Sequence, residues 1–278
     1  MVKVCIIKGF GINADLELAA AFKTAGAQAL RVHISDIIEK PYIIDSYDIL
    51  AFPGGFSFGD HLGSGKVFAN LCRINLKPQL QNFIERGRLI IGICNGFQVL
   101  VKMGILPNLA GSWDQEVSLV RNESGKFEDR WVSVRFNSSS RCVWTMGLTG
   151  MELPVRHGEG RFVVKSESVL ETLKNEELIA VRYTPRHLTN TGKNRNRTTQ
   201  GDLSSEDVEY PDNPNGSVDN IAGICDRTGR VFGLMPHPEA FLIPENHPQW
   251  TRKRINGESI NKLGLLILKK GVEYIEGL

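Results

Sequence analysis

No Cys-x-x-Cys pair occurs in this chain, and its cysteines, at 5, 72, 94, 142 and 225, follow no zinc-site spacing. That scatter argues against a structural metal module and a disulfide framework, so reduced thiols and a cytoplasmic location are expected. No apolar run approaches the roughly 20 residues that a membrane helix needs. The opening Met1-Val-Lys-Val-Cys-Ile-Ile goes directly into strand-like sequence and lacks a signal peptide's layout. Charge of one sign is also missing. The 33 Lys and Arg against 31 Asp and Glu leave a net charge of +2, which makes no general case for nucleic acid or a membrane surface as partner. A Walker-type Gly-Lys-Ser/Thr loop is absent, and no histidine sits in a metal-ligand pattern. What remains is an ordinary globular composition, 41% apolar and 23% charged over 278 residues, read as a single domain over 1–278.

The stretch from Arg88 to Leu100 stands out. Leu89-Ile-Ile-Gly-Ile is an apolar run without alternation, as expected of a central strand covered on both faces. From Asn95 the spacing turns helical, with Phe97, Leu100 and Val101 on one side. Cys94 sits at the join, flanked by Gly92 and Gly96. This spacing predicts a nucleophile elbow, a sharp strand-to-helix turn that presents a reactive side chain at the sheet's carboxyl edge. A helix N-terminus there favours a thiolate over a thiol.

Around that stretch the chain alternates. Residues 2–7 and 27–34 read as buried strands. Between them Leu18, Ala21, Phe22 and Ala25 fall at helical spacing, with Asn13 placed to cap the helix. The Gly9-Phe-Gly-Ile-Asn turn lacks the third glycine of a dinucleotide fingerprint. Residues 47–52 form a further strand that runs into Pro53-Gly-Gly-Phe-Ser-Phe-Gly-Asp60. Paired glycines there permit close backbone approach and can present N–H groups to an anion. A helix over about 66–86, bent or broken at Pro78, leads into the Cys94 strand. The pattern predicts an α/β fold: a doubly wound, mostly parallel sheet with flanking helices, which binds ligands outside the carboxyl ends of its strands.

Beyond residue 113 the texture changes to an added antiparallel section. Val117-Ser-Leu-Val and Trp131-Val-Ser-Val-Arg-Phe read as a hairpin joined by the polar Asn122-Glu-Ser-Gly turn. Residues 153–164 and 178–183 are again strand-like. Residues 221–225 and 231–235 form a hairpin that ends at Pro236-His-Pro-Glu239. A last helix over about 259–275 carries Ile260, Leu263, Ile267 and Tyr274 on one face. Residues 186–217 are the least hydrophobic stretch, basic at Arg186, Lys193, Arg195 and Arg197 and acidic further on, and read as a long polar insertion.

A cysteine nucleophile needs a base, an orienter for that base and an oxyanion site. His237 is the best base, since Glu239 two residues on projects to the same side of an extended segment and can hold the imidazole. His157, in Arg156-His-Gly-Glu-Gly-Arg161, competes for that role.

Gly92-Ile-Cys-Asn-Gly-Phe-Gln98, together with Pro236-His-Pro-Glu239, resembles the class I (triad) glutamine amidotransferases. The stretches 53–60, His157-Gly-Glu-Gly-Arg161 and Asn213-Pro-Asn-Gly-Ser217 narrow the resemblance to the glutaminase subunits of phosphoribosylformylglycinamidine synthases, in purine synthesis. It spans nearly the whole chain, with departures in the length of 186–217 and at Ala240, where Arg is the commoner residue. The resemblance implies that Cys94, His237 and Glu239 hydrolyse glutamine to glutamate and ammonia through a thioester. It implies an oxyanion hole from backbone N–H groups of Gly54 or Gly55 and of Asn95, and a glutamine pocket at Gln98, His157, Gly158 and Glu159. The implied partners are an ATP-using synthetase subunit and a small bridging subunit, with ammonia channelled between active sites. The chain itself would need no cofactor or metal, ATP and magnesium belonging to the synthetase. The 186–217 stretch and Trp250-Thr-Arg-Lys-Arg254 are expected to help dock it. A glutaminase serving another synthetase, a related Cys-His hydrolase or peptidase, and a non-catalytic regulatory scaffold stand as alternatives.

Overall fold

The computed structural model of the chain describes residues 1–186, 208–258 and 260–278. The amino-terminal part alternates strands and helices: β1 (Lys3–Lys8), α1 (Asp15–Thr24), β2 (Gln28–His33), α2 (Ile34–Glu39), β3 (Ile49–Phe52), α3 (Lys66–Glu85), β4 (Leu89–Ile93) and α4 (Asn95–Met103). All of β3 and β4 is buried, which suits uninterrupted apolar runs covered by helices on both sides. Of the bend or break expected at Pro78, the break is absent: α3 runs through the proline. Pro78 is exposed, while Phe68, Ala69, Cys72, Leu76, Leu80 and Phe83 bury a stripe on both sides of it. Burial of that stripe offsets the roughly 3 kcal/mol that an interior proline costs. Ala14, not Asn13, is the N-cap of α1, and no side chain caps that end.

The second part contributes β5 (Val117–Val120), β6 (Glu128–Phe136), β7 (Gly150–His157), β8 (Arg161–Val164), α5 (Glu167–Asn175), β9 (Ile179–Thr184), β10 (Ile221–Cys225), β11 (Val231–Leu234), α6 (Trp250–Ile255) and α7 (Leu265–Glu276). Among the described residues nine strands form one sheet in the order β2-β1-β3-β4-β11-β10-β9-β6-β7. The β2-β1-β3-β4-β11 half is parallel and the remainder antiparallel, as the sequence pattern predicts. The expected hairpin between 117–120 and 131–136 does not form. β5 instead pairs with β8 in a separate two-stranded sheet, with Leu119 opposite Phe162, and β6 pairs with β7 and β9. The side chain of Asn122 contributes to this, because besides closing its own turn on the Lys126 carbonyl it ties that turn to the corner between β7 and β8.

The last helix begins at Leu265, later than expected, leaving Ile260 and Leu263 ahead of it as partly buried packing residues. Gly264 explains the delay: the chain passes so close to the backbone of Pro238 that any side chain there would overlap the Pro238 carbonyl. Most of the polar insertion, residues 187–207 with Lys193, Arg195 and Arg197, lies outside the described residues. Lys253 of α6 is held by Glu152 of β7 at 2.7 Å. No described helix is long and apolar enough to cross a membrane.

Register positions the site. Gly92 of β4 lies beside Phe52 of β3 and beside Gly233 of β11. The three parallel strands therefore end level, and the segments after them, 53–55, Cys94 and 235–239, meet at one carboxyl edge.

Candidate active site

Cys94 is the N-cap of α4, with φ 52° and ψ −107°. A strained backbone at this point is what a strand-to-helix elbow requires. Gly96 lets the elbow close, since a methyl group there would overlap the Phe52 carbonyl of the adjacent strand. The Cys94 N–H donates to the Leu234 carbonyl at 2.8 Å, tying the elbow to β11. Its Sγ lies 3.7 Å from the Arg156 carbonyl at the end of β7.

The turn after β11 carries His237 and Glu239, both almost fully buried. His237 N–H donates to the Pro154 carbonyl of β7 at 2.8 Å, which stitches the turn across the sheet. His237 Nδ1 donates to Glu239 Oε1 at 2.6 Å, a short charge-assisted bond. The other ring nitrogen, Nε2, is buried on the side of Cys94. Burial pulls the imidazole toward neutrality, but Glu239 and the neighbouring Cys94 outweigh it and push His237 up to about 10. That direction favours the protonated ring.

Gly54 lies flat against this ring; a Cβ there would stand 2.8 Å from His237 Cε1. The Gly54 carbonyl accepts from Ala14 N–H at 3.2 Å, and Gly55 forms an antiparallel bridge with Ile12. The glycine turn at residues 9–11 is thus a brace for the 53–58 loop, with Phe56 N–H donating to the Gly11 carbonyl at 2.8 Å. Among the described residues nothing accepts a hydrogen bond from the N–H of Gly55 or of Asn95. Two free donors beside a nucleophile can hold a developing oxyanion.

A cavity of about 290 Å³ opens over Cys94, His237 and Gly55. Its other walls are Asn13, Ala14, Glu17, Phe56, Phe127 and Arg156, with the Glu17 and Arg156 charges 3.8 Å apart. None of these six was singled out from sequence as part of the site. Glu17 and Phe127 sit in patterns that read as a helix end and a loop, and no local spacing distinguishes them. The predicted pocket residues lie elsewhere around the elbow. Asn95 Nδ2 donates to Gln98 Oε1 at 2.8 Å, and Gln98 Nε2 donates to the Glu159 carbonyl at 2.6 Å. Glu159 accepts from Ser64 N–H at 3.2 Å, and Asn95 Oδ1 accepts from Ser57 N–H at 3.2 Å. Asp60 takes Ser64 Oγ at 2.9 Å, and Lys102 donates to the Ser64 carbonyl. Burial holds the Asp60 carboxyl above, and the Lys102 ammonium below, their ordinary values. These residues form a buried polar shelf that joins α4, the 57–65 turn and the 157–160 corner.

His157, the rival base, is 3% exposed, and its Nδ1 is 3.1 Å from Asn122 Oδ1. Burial, with the nearby His237 charge, pushes it down to about 3, so it remains neutral. It has no carboxylate to stabilise an imidazolium, and that separates it from His237. Among the described residues no cluster of three or more His, Cys, Asp or Glu is arranged to hold a metal ion.

The model of the CobB/CobQ-like glutamine amidotransferase domain matches residues 1–275. Phosphoribosylformylglycinamidine synthase subunit PurQ of Methanococcus maripaludis is 40% identical over 280 residues, covering 98% of each chain. The PurQ subunit of Dehalococcoides mccartyi is 41% identical over 273 residues, covering 98% of this chain and 97% of its own. This chain belongs to the PurQ family of glutamine amidotransferases. A chain of the PurLQS structure from Thermotoga maritima superposes with a TM-score of 0.68 at 26% identity, over 99% of both chains. A glutamine amidotransferase from the same organism, 13% identical with a TM-score of 0.52, shares the fold.

Proposed function

We propose that this chain is the glutaminase subunit of a phosphoribosylformylglycinamidine synthase. Cys94 attacks the side-chain amide of glutamine, and the N–H groups of Gly55 and Asn95 hold the oxyanion. His237 protonates the departing ammonia, and water then hydrolyses the glutamyl thioester to glutamate with His237 taking the proton back. Glu239 keeps the imidazole oriented and charged. The observation that carries this reading is the His237–Glu239 bond of 2.6 Å beside a cysteine at an elbow, in a chain that aligns end to end with PurQ subunits. Loss of either oxyanion donor is expected to cost about 3 kcal/mol in the transition state.

Ammonia set free in water becomes ammonium and loses its nucleophilicity, so the product has to pass directly to a partner. On this reading the chain works in the cytoplasm with a synthetase subunit and a small bridging subunit. ATP and magnesium bind on the synthetase, and this chain contributes no cofactor. Gln98 and the 157–159 corner frame the glutamine pocket from the shelf side. The test is reconstitution with a synthetase and bridging subunit, with formylglycinamide ribonucleotide and ATP as the other substrates. Synthesis driven by glutamine is expected with this chain present, and synthesis driven only by added ammonia without it. Glutamine turnover that never supports synthesis would overturn the assignment.

A further inference from the structure

Besides the His237 imidazole, two charged side chains line the cavity over Cys94 among the described residues: Glu17 and Arg156, one of each sign. They face each other at 3.8 Å, close enough to attract and too far for a good hydrogen bond. Both side chains are half-exposed, at 50% and 38%, and among the described residues neither has a hydrogen-bond partner. Each is held in place by the reacting groups themselves. Arg156 brings its carbonyl to 3.7 Å from Cys94 Sγ and its side chain to the cavity wall. Glu17 lies in the first turn of α1, whose N-cap Ala14 donates its N–H to the Gly54 carbonyl of the oxyanion turn at 3.2 Å. Both charges therefore keep a set place relative to the nucleophile and the oxyanion donors. Ala14, Phe56 and Phe127 give the cavity apolar walls, the two rings stacked at 6.3 Å, and apolar walls strengthen whatever charge a ligand presents there. A loose pair of opposite charges on such a wall fits a ligand that carries both signs on neighbouring atoms.

Resting on the glutaminase reading above, we propose that Glu17 and Arg156 determine the specificity of this cavity: Glu17 takes the α-ammonium and Arg156 the α-carboxylate of free glutamine, while its side-chain amide reaches Cys94. Both charges of the ligand hang on one carbon, so a single molecule parts the pair and gives each side chain a closer partner than it has alone. A glutamine held within a peptide carries neither charge and gains nothing from the pair. The cavity thus selects the free amino acid.

The test compares three amides in the assembled synthase: glutamine, its analogue without the α-amino group and its analogue without the α-carboxylate. Glu17→Gln in this chain should lower kcat/KM for glutamine about 10-fold or more, chiefly through KM. That penalty should persist with the analogue that keeps the amino group and vanish with the one that lacks it. Arg156→Gln should give the reverse pattern, its penalty vanishing only without the α-carboxylate. Glu17→Asp should recover part of the loss, because it restores the charge. A merely structural pair would penalise all three amides alike, and that result overturns the proposal, as does an unchanged KM for glutamine in both variants. Should Arg156→Gln fail to assemble, the Glu17→Gln pattern decides alone. A wild-type complex that releases no ammonia from glutamine would instead defeat the glutaminase reading.

Discussion

His157 and His237 differ little in exposure, 3% and 5%, and stand within each other's electrostatic reach, yet they carry opposite charge states. His157 ends β7 and faces the amide of Asn122; His237 follows β11 and faces the carboxylate of Glu239. Burial acts on both in the same direction, against the charged form. The outcome is decided by the partner: Glu239 and the neighbouring Cys94 hold His237 charged, whereas a neutral amide leaves His157 to the desolvation cost. One region is built to hold and move a proton, the other to refuse one. A count of buried histidines would not separate them.

The largest way to break this contrast is Cys94→Ala, which removes both the nucleophile and one of the groups that sustain the His237 imidazolium. Glutamine hydrolysis should fall by about 10⁴-fold or more, while ammonia-driven synthesis by the complex persists. Loss of both activities in an intact complex would count against the division of labour.

Glu239→Gln makes the surroundings of His237 resemble those of His157, an amide beside Nδ1. Turnover should drop by about 10²- to 10⁴-fold with little change in KM, and the His237 titration should move down from about 10. Unchanged turnover with a large rise in KM would assign Glu239 to substrate binding instead.

Stability against pH should show both histidines with opposite sign. In the unfolded chain each titrates near about 6.5. Folded His157 stays neutral to about 3, so the unfolded state binds the extra proton in between, and stability falls as pH drops through that window. Folded His237 stays charged to about 10, so its contribution is complete below about 6.5 and disappears as pH rises through about 10. Urea unfolding of His157→Gln should lose about 2 kcal/mol less than wild type between about pH 7 and pH 5. Identical acid losses would mean that another group dominates that limb.

The smallest effect is expected at the cavity mouth. Glu17→Gln removes a half-exposed ion pair with Arg156 at 3.8 Å, so unfolding free energy should change by less than about 1 kcal/mol. A larger loss in thermal scans would show that the pair braces α1 against β7.

Much of this was legible along the chain, because local pattern carries the information it depends on. The buried run 89–93, the switch to helical spacing at Asn95 and the small residues around Cys94 define an elbow within a dozen positions. Glu239, two residues beyond His237, needs only an extended backbone to reach it. Asn13 illustrates the opposite case: its type suits a helix cap, but tertiary packing puts it on the cavity wall. Pro78 marks a break by its own chemistry, and the buried stripe around it overrides that.

The sequence by itself determined the parallel half of the sheet, the elbow at Cys94 and the His-Glu pair, since each rests on residues adjacent in the chain or on periodicity. Only the tertiary structure decided that β5 leaves its neighbour for β8, that Glu17, Phe127 and Arg156 wall the cavity, and that Asn122 sets the state of His157. Those features join residues far apart in the chain, such as Asn122 and His157, through packing, hydrogen bonds and charges whose strength depends on burial. Burial is a property of the folded molecule, and no local pattern of residues contains it.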